Sequence, residues 1–283
     1  MLYRIVVTSL WLAACGRLDF DPLAAAGDAG ADTARDAACV LGPWSAPFQL
    51  VTLGSTATDW GPSLSFDGLQ IVFSSDRSGS FELYLATRPG PSDTFGAPVL
   101  LATTSSAGTN ASPTFSFDGL TLYFDAMSGP DKATRATTSD LFGPPVTATE
   151  LSGVGASGTT LSADGTEAFF GYPTISRATR SDTAASFVAA GTVSELGQGG
   201  YPSLSGDGLT IYFVTARNGP LQVYSATRPA VGALFGAPTI VAELNAGGDS
   251  DDPSISGDGR AIVFRSTRAG DGGELFMATR ACQ

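Results

Sequence analysis

Apolar and polar residues alternate in short runs along this chain, and Asp-Gly interrupts the runs at intervals. One ten-residue frame appears five times: "LSFDGLQIVF" (64–73), "FSFDGLTLYF" (115–124), "LSADGTEAFF" (161–170), "LSGDGLTIYF" (204–213) and "ISGDGRAIVF" (255–264). After the turn, Leu120, Leu122 and Phe124 point one way and Thr121 and Tyr123 the other, the period-two signature of a strand. Asp-Gly between two such runs predicts a hairpin, with a type I′ turn that needs positive φ at both central residues. The frame therefore predicts strand, turn, strand. Asp67, Asp118, Asp164, Asp207 and Asp258 have a structural explanation as turn residues.

Two further segments recur. "LYLATR" (83–88), "ISRATR" (175–180), "VYSATR" (223–228) and "LFMATR" (275–280) predict a third strand, with the second copy altered to "ATRATT" (133–138). "WSAP" (44–47), "FGAP" (95–98), "FGPP" (142–145), "FVAA" (187–190) and "FGAP" (235–238) each precede a short apolar run that predicts a fourth. The third unit, about 159–190, is shorter and matches least well. Four-stranded units with a period of about 45 to 50 residues belong to propellers and solenoids. Radial stacking buries both faces of each sheet and leaves few open edges. The expected fold is all-β: a five-bladed β-propeller of four-stranded antiparallel blades. The repeats begin with a fourth-strand segment and end with a third-strand segment, so the N-terminal strand is expected to complete the last blade and close the ring. That closure would bring Cys39 near Cys282, and a disulfide between them is expected.

Composition agrees with a turn-rich β protein: 35 of the 283 residues are glycine and 43% are hydrophobic. A net charge of −12 and a pI near 4.2 argue against a nucleic-acid partner. The first residues read differently from the rest. Arg4 precedes the apolar run "IVVTSLWLAA" (5–14), too short to span a bilayer and suited to a signal peptide. The run ends in "LAAC" (12–15), which resembles the bacterial lipobox. That resemblance implies cleavage before Cys15, lipidation of Cys15, and a membrane anchor. Gly16, where an Asp would favour inner-membrane retention, points to the outer membrane. Residues 15–38, rich in Ala, Gly and Asp, read as a flexible tether. The expected organisation is a lipoprotein signal peptide (1–14), the lipidated cysteine and tether (15–38), and a propeller (39–283).

"SFDGLQIVFSSDR" and "LTIYFVTAR" resemble the WD40-like Pro-Asp (PD40) repeats of the TolB propeller, and the resemblance runs from about 44 to 280. It implies a propeller in a bacterial envelope protein. Five blades would depart from the six of TolB.

In a propeller the first strand of each blade runs along the central channel. The loops entering it, and those joining the second and third strands, then form the candidate ligand-binding face. Those loops carry Asp59, Trp60, Asp76, Arg77, Asn110, Tyr201, Arg217, Asp249, Asp251, Asp252 and Arg268. Trp60 and Tyr201 suit packing between blades or stacking on a sugar. Asp249, Asp251 and Asp252 read as solvated turn residues; the segment is not an EF-hand loop, and no metal or other cofactor is expected. Arg88, Arg180, Arg228 and Arg280 end third strands and are expected to pair with the turn aspartates.

Without histidine there is no Ser-His-Asp triad and no His-bound zinc. Carboxylates remain as the enzymatic route, through Asp59, Asp76, Asp249, Asp251 or Asp252. The preferred expectation is a monomeric, lipid-anchored and non-catalytic envelope module that binds a protein or cell-wall (peptidoglycan or polysaccharide) partner. The second is a glycan-binding or glycan-hydrolysing propeller that uses the channel-mouth carboxylates.

Overall fold

Period-two alternation does form strands here, and the strands gather into five antiparallel sheets of four. The computed structural model describes residues 39–102, 110–154, 158–270 and 272–283. The expected signal peptide (1–14), Cys15 and the tether (15–38) lie outside the described residues.

Blade one holds β2 (Asp59–Leu64), β3 (Gln70–Ser75), β4 (Glu82–Thr87) and β5 (Val99–Leu100). Blade two holds β6 (Ala111–Phe115), β7 (Thr121–Ala126), β8 (Gly129–Thr134) and β9 (Val146–Thr147). Blade three is short but complete, with β10 (Thr160–Leu161), β11 (Glu167–Phe170), β12 (Ser176–Thr179) and β13 (Val188–Thr192). Blade four holds β14 (Gly200–Leu204), β15 (Thr210–Thr215), β16 (Gln222–Thr227) and β17 (Thr239–Ile240). Blade five is built from both ends of the chain: β18 (Ser250–Ile255), β19 (Ala261–Ser266), β20 (Glu274–Thr279) and, outermost, β1 (Phe48–Gln49). Phe48 pairs with Met277 and Gln49 with Phe276. The protein is a five-bladed β-propeller closed by its N-terminal strand. Cys39 and Cys282 are joined by a disulfide, with Cα atoms 5.1 Å apart.

The core lies between blades. Ile71 and Phe73 of blade one meet Val263 and Met277 of blade five, and Phe169 of blade three meets Leu204 and Phe213 of blade four. Each is fully or almost fully buried, and such side chains contribute roughly 1.5–3 kcal/mol apiece. The ring is therefore held by face-to-face apolar burial.

Two local devices repeat and correct the sequence reading. The Asp-Gly turns are not type I′. Gly68 has φ +70, while Asp67 is not in the positive-φ region. The Gly68 amide donates to the Ser65 carbonyl at 2.8 Å, and Ser65 Oγ donates to Asp67 Oδ1 at 2.6 Å. Asp67 Oδ1 then accepts the Leu69 amide. This is a longer turn with one left-handed glycine, and the Ser two residues before each Asp belongs to it. The same Ser–Asp bond recurs at Asp118, Asp164, Asp207 and Asp258.

The third-strand arginines, in turn, do not rely on turn aspartates. Nε of Arg88, Arg135, Arg180, Arg228 and Arg280 donates to the carbonyl of the turn glycine at 2.6–2.8 Å. Each guanidinium also lies over a fourth-segment aromatic ring, 4.2–4.9 Å from its centroid: Phe95, Phe142, Phe187, Phe235 or Trp44. A carbonyl and a ring face give each partly buried cation two contacts that desolvate no second charge. Arg135 completes the set that "ATRATT" obscured.

Candidate functional site

The five inner strands β2, β6, β10, β14 and β18 line a central cavity of about 100 Å³. Six residues before each turn aspartate, the backbone enters the left-handed region: Gly61 (φ +54), Ser112 (+48), Gly158 (+60), Tyr201 (+50) and Asp252 (+47). A bulge accompanies this in four of the five strands, where the register slips between Trp60 and Ser63 and at the equivalent places. The ring of left-handed residues forms the channel mouth. Glycine adopts the conformation freely, whereas Ser112, Tyr201 and Asp252 hold it at a cost of order 1 kcal/mol or more each. Strain of this kind at a cavity rim marks a place where side-chain direction matters more than local stability.

The channel is blocked below. Phe66 and Phe117, one residue before the turn aspartates of blades one and two, meet with ring centroids 3.7 Å apart and planes tilted by 49°. Gly206 and Gly257 hold the same position in blades four and five, and a Cβ on either would run into the Phe66 ring. The cavity is thus a cup open at the mouth.

Asp252 is the channel-lining carboxyl. It is 8% exposed, and one oxygen accepts the Gly61 amide at 3.2 Å. Burial, reinforced by the neighbouring Asp251, pushes its pKa up to about 7. Asp251 is buried too, and its pKa is raised by that burial, but Arg265 binds it at 2.8 Å and opposes the rise. The two carboxyls titrate together, and the Arg265 ion pair opposes the rise more at Asp251 than at Asp252. Arg265 also lies over the Trp60 ring at 4.8 Å, linking blade five to blade one. Nearby, Tyr201 stacks on Tyr172 with centroids 5.5 Å apart. Its hydroxyl pKa is raised by burial first, then by Asp252, Asp251, Tyr172 and Asp125. In blade two, Asp125 accepts the Gly158 amide at 3.3 Å. Asp252 and Asp125 therefore make the same kind of bond, each to the left-handed, cavity-lining residue of the following blade.

Of the residues expected on this face, the structure brings Asp252, Tyr201, Asp251 and Trp60 together. Asp251 and Asp252 are buried strand residues rather than solvated turn residues. The others are engaged elsewhere. Asp59 is fully buried and bound by Arg77 at 2.8 Å. Arg77 also holds the Leu53 carbonyl and caps Phe73 and Tyr84. Arg217 and Arg268 do likewise, on the carbonyls of Leu196 and Leu244 and over Phe213, Tyr224, Phe264 and Phe276. These three arginines staple the loop before a blade to that blade. Asp76 accepts the Thr58 amide, the Asp249 amide donates to Thr267, and buried Asn110 donates to Glu82. Sequence reasoning missed Arg265 as a site residue. Its signal was a charge inside the apolar strand "AIVFRS", across the hairpin from two aspartates. Among the described residues, no group of three or more Asp, Glu or Cys stands close enough to hold a metal ion.

No family profile and no curated protein matches this sequence. Solved structures of similar fold do. The catalytic domain of a GH62 α-L-arabinofuranosidase from Coprinopsis cinerea aligns with a TM-score of 0.58 at 14% identity, over 85% of this chain and 98% of that one. A GH43_1 enzyme from Xanthomonas citri aligns at 0.53 and 12% identity, over 85% and 91%. TolB from Acinetobacter baumannii aligns at 0.50 and 19% identity, over 81% of this chain and 56% of that one. The class is that of a propeller similar in fold both to TolB and to glycoside hydrolases. This overturns the expectation that the chain is not an enzyme, because proteins of the same fold include a GH62 α-L-arabinofuranosidase and a GH43_1 enzyme.

Proposed function

We propose that the protein binds a glycan at the channel mouth and hydrolyses a glycosidic bond there. The observation that carries this reading is Asp252: a cavity-lining carboxyl with a pKa near 7, next to Asp251 in its ion pair with Arg265. A carboxyl that keeps its proton to about pH 7 is what a general acid at neutral pH requires. Asp252, protonated, donates to the glycosidic oxygen as the bond to the sugar carbon breaks. Asp125, from the second blade, accepts the proton of the attacking water. Trp60, Tyr172 and Tyr201 offer ring faces for sugars, and 42% and 55% of Trp60 and Tyr172 are exposed. The floor of Phe66 and Phe117 keeps the ligand at the mouth.

The "LAAC" motif supports a setting for this activity: a monomer lipid-anchored through Cys15 in the bacterial envelope, at the outer membrane, with wall or extracellular polysaccharide as its partner. Radiolabelled palmitate incorporated by the wild-type chain and lost in Cys15→Ser tests the anchor. Affinity electrophoresis in polysaccharide gels tests the glycan reading. Retardation by a plant or bacterial polysaccharide, weakened about tenfold in Trp60→Ala, is expected. Unretarded migration through every polysaccharide would refute it.

A further inference from the structure

The five third-strand arginines make the same two contacts, but their remaining guanidinium nitrogen is treated differently at one seam. Arg135 Nη2 donates to Gln70 Oε1 at 2.7 Å, and Arg228 Nη2 to Glu167 Oε2 at 2.6 Å. In both cases the acceptor is the first residue of the second strand in the preceding blade. Arg180 and Arg280 instead meet the hydroxyls of Tyr123 and Tyr212 on the preceding blade. At the junction of blades five and one these positions are Ala261 and Val263, which offer no acceptor. Arg88 is 7% exposed, and its Nη2 has no hydrogen-bond partner. A buried guanidinium N–H without an acceptor costs of order 1–3 kcal/mol, so an orphan at one seam of five calls for an occupant.

A groove of about 660 Å³ opens at this same seam, on the Asp-Gly-turn face. Arg88 lines it, as do Gly68 and Ser256, and Nη2 lies beside Gly68. Its charges balance, with Arg88, Arg260 and Arg280 against Asp67, Asp93 and Asp258. A phosphate monoester dianion would set two negative charges against those three carboxylates, whereas a monocarboxylate brings one, with an oxygen for the unpartnered Arg88 Nη2. Phe48, Leu50 and Met277 supply apolar wall. We propose that this groove is a second ligand site, separate from the channel mouth, which takes a small amphiphilic monocarboxylate. Its carboxylate accepts from Arg88 Nη2, in the place that Gln70 and Glu167 fill at other seams, and its hydrocarbon lies along Phe48, Leu50 and Met277.

Octanoate and n-octanol, titrated calorimetrically into the intact protein below their aggregation limits, test this. Octanoate is expected to bind one to one and at least tenfold more tightly than octanol, because the charge-assisted bond is absent from the alcohol. Ala261→Gln supplies the missing acceptor from the protein itself, and it is expected to weaken octanoate at least tenfold while leaving octanol within about twofold. Asp252→Asn, which lines the central cavity and not this groove, is expected to leave both unchanged. Equal affinity for acid and alcohol, no saturable octanoate binding, or octanoate binding undiminished in a folded Ala261→Gln would each overturn the proposal.

Discussion

Asp252→Asn keeps the shape of the channel-mouth carboxyl and removes its titration. A carboxyl pKa raised by folding means that the native protein holds a proton which the unfolded chain releases. The sign follows from that. This contribution to stability is fully present below the ordinary value of 3.8 and is lost as pH rises towards about 7. At about 1.4 kcal/mol per pH unit, the window of roughly three units corresponds to on the order of 4 kcal/mol. Asp251 shares the titration, so that figure belongs to the pair and is an upper value for Asp252 alone. Urea unfolding of wild type and Asp252→Asn at half-unit steps from pH 4.5 to pH 8 reads it directly. Carboxyls that favour the folded state at high pH, such as Glu167, act equally in both proteins and cancel in the difference. The wild type should lose about 2–4 kcal/mol relative to the variant across the range, most of it below pH 7. Parallel curves would mean that Asp252 is ionised throughout, and the acid role assigned to it would fail.

Four further outcomes follow. Glu167 is buried and bound by Arg228 and Arg177; burial raises its pKa, but those bonds outweigh the rise and hold it low. Glu167→Ala should therefore cost about 3–5 kcal/mol at pH 7 in a thermal or chemical melt, because Arg228 is left unpaired. The difference should shrink as pH falls below the ordinary carboxylate range of about 4.5, and Glu167→Gln should recover part of it. Gly257→Ala should cost about 1–3 kcal/mol by displacing the Phe66 ring, while Phe66→Ala in the same chain should restore most of that loss. Reducing the Cys39–Cys282 bond, which spans 243 positions, should lower stability by up to about 5 kcal/mol; an unchanged melt would show that β1 closes the ring without it. Trp60→Ala should raise KM for a glycan with little change in kcat, as expected for a group that binds ground and transition states alike.

The fold was legible because its cause is local and repeated. "SFDGL" fixes a turn, the alternation after it fixes a strand, and starting on "WSAP" while ending on "LFMATR" fixes the closure. The turn type was misjudged because Asp-Gly alone suits two geometries, and the Ser that decides between them stands two residues upstream. Arg135 escaped notice because "ATRATT" changes its neighbours while keeping the arginine itself. The site was less legible because it is where the repeat is broken. Asp252, Tyr201 and Ser112 occupy a position that is glycine in the first and third blades, and no periodic signal marks a left-handed bulge. The arginines at 77, 217 and 268 looked like ligand-binding charges because exposure cannot be read from a loop. In the folded chain they bind carbonyls and ring faces instead.

The most direct test of the account is sugar release. Wild type and Asp252→Asn would be incubated with hemicellulose, pectin, α-glucan and peptidoglycan panels from pH 5 to pH 9, with reducing ends measured. The account predicts release from at least one substrate by the wild type, falling as pH rises through about 7, and lower by about a hundredfold or more in the variant. Release that is equal in both proteins, or absent from both on every polymer, would contradict it.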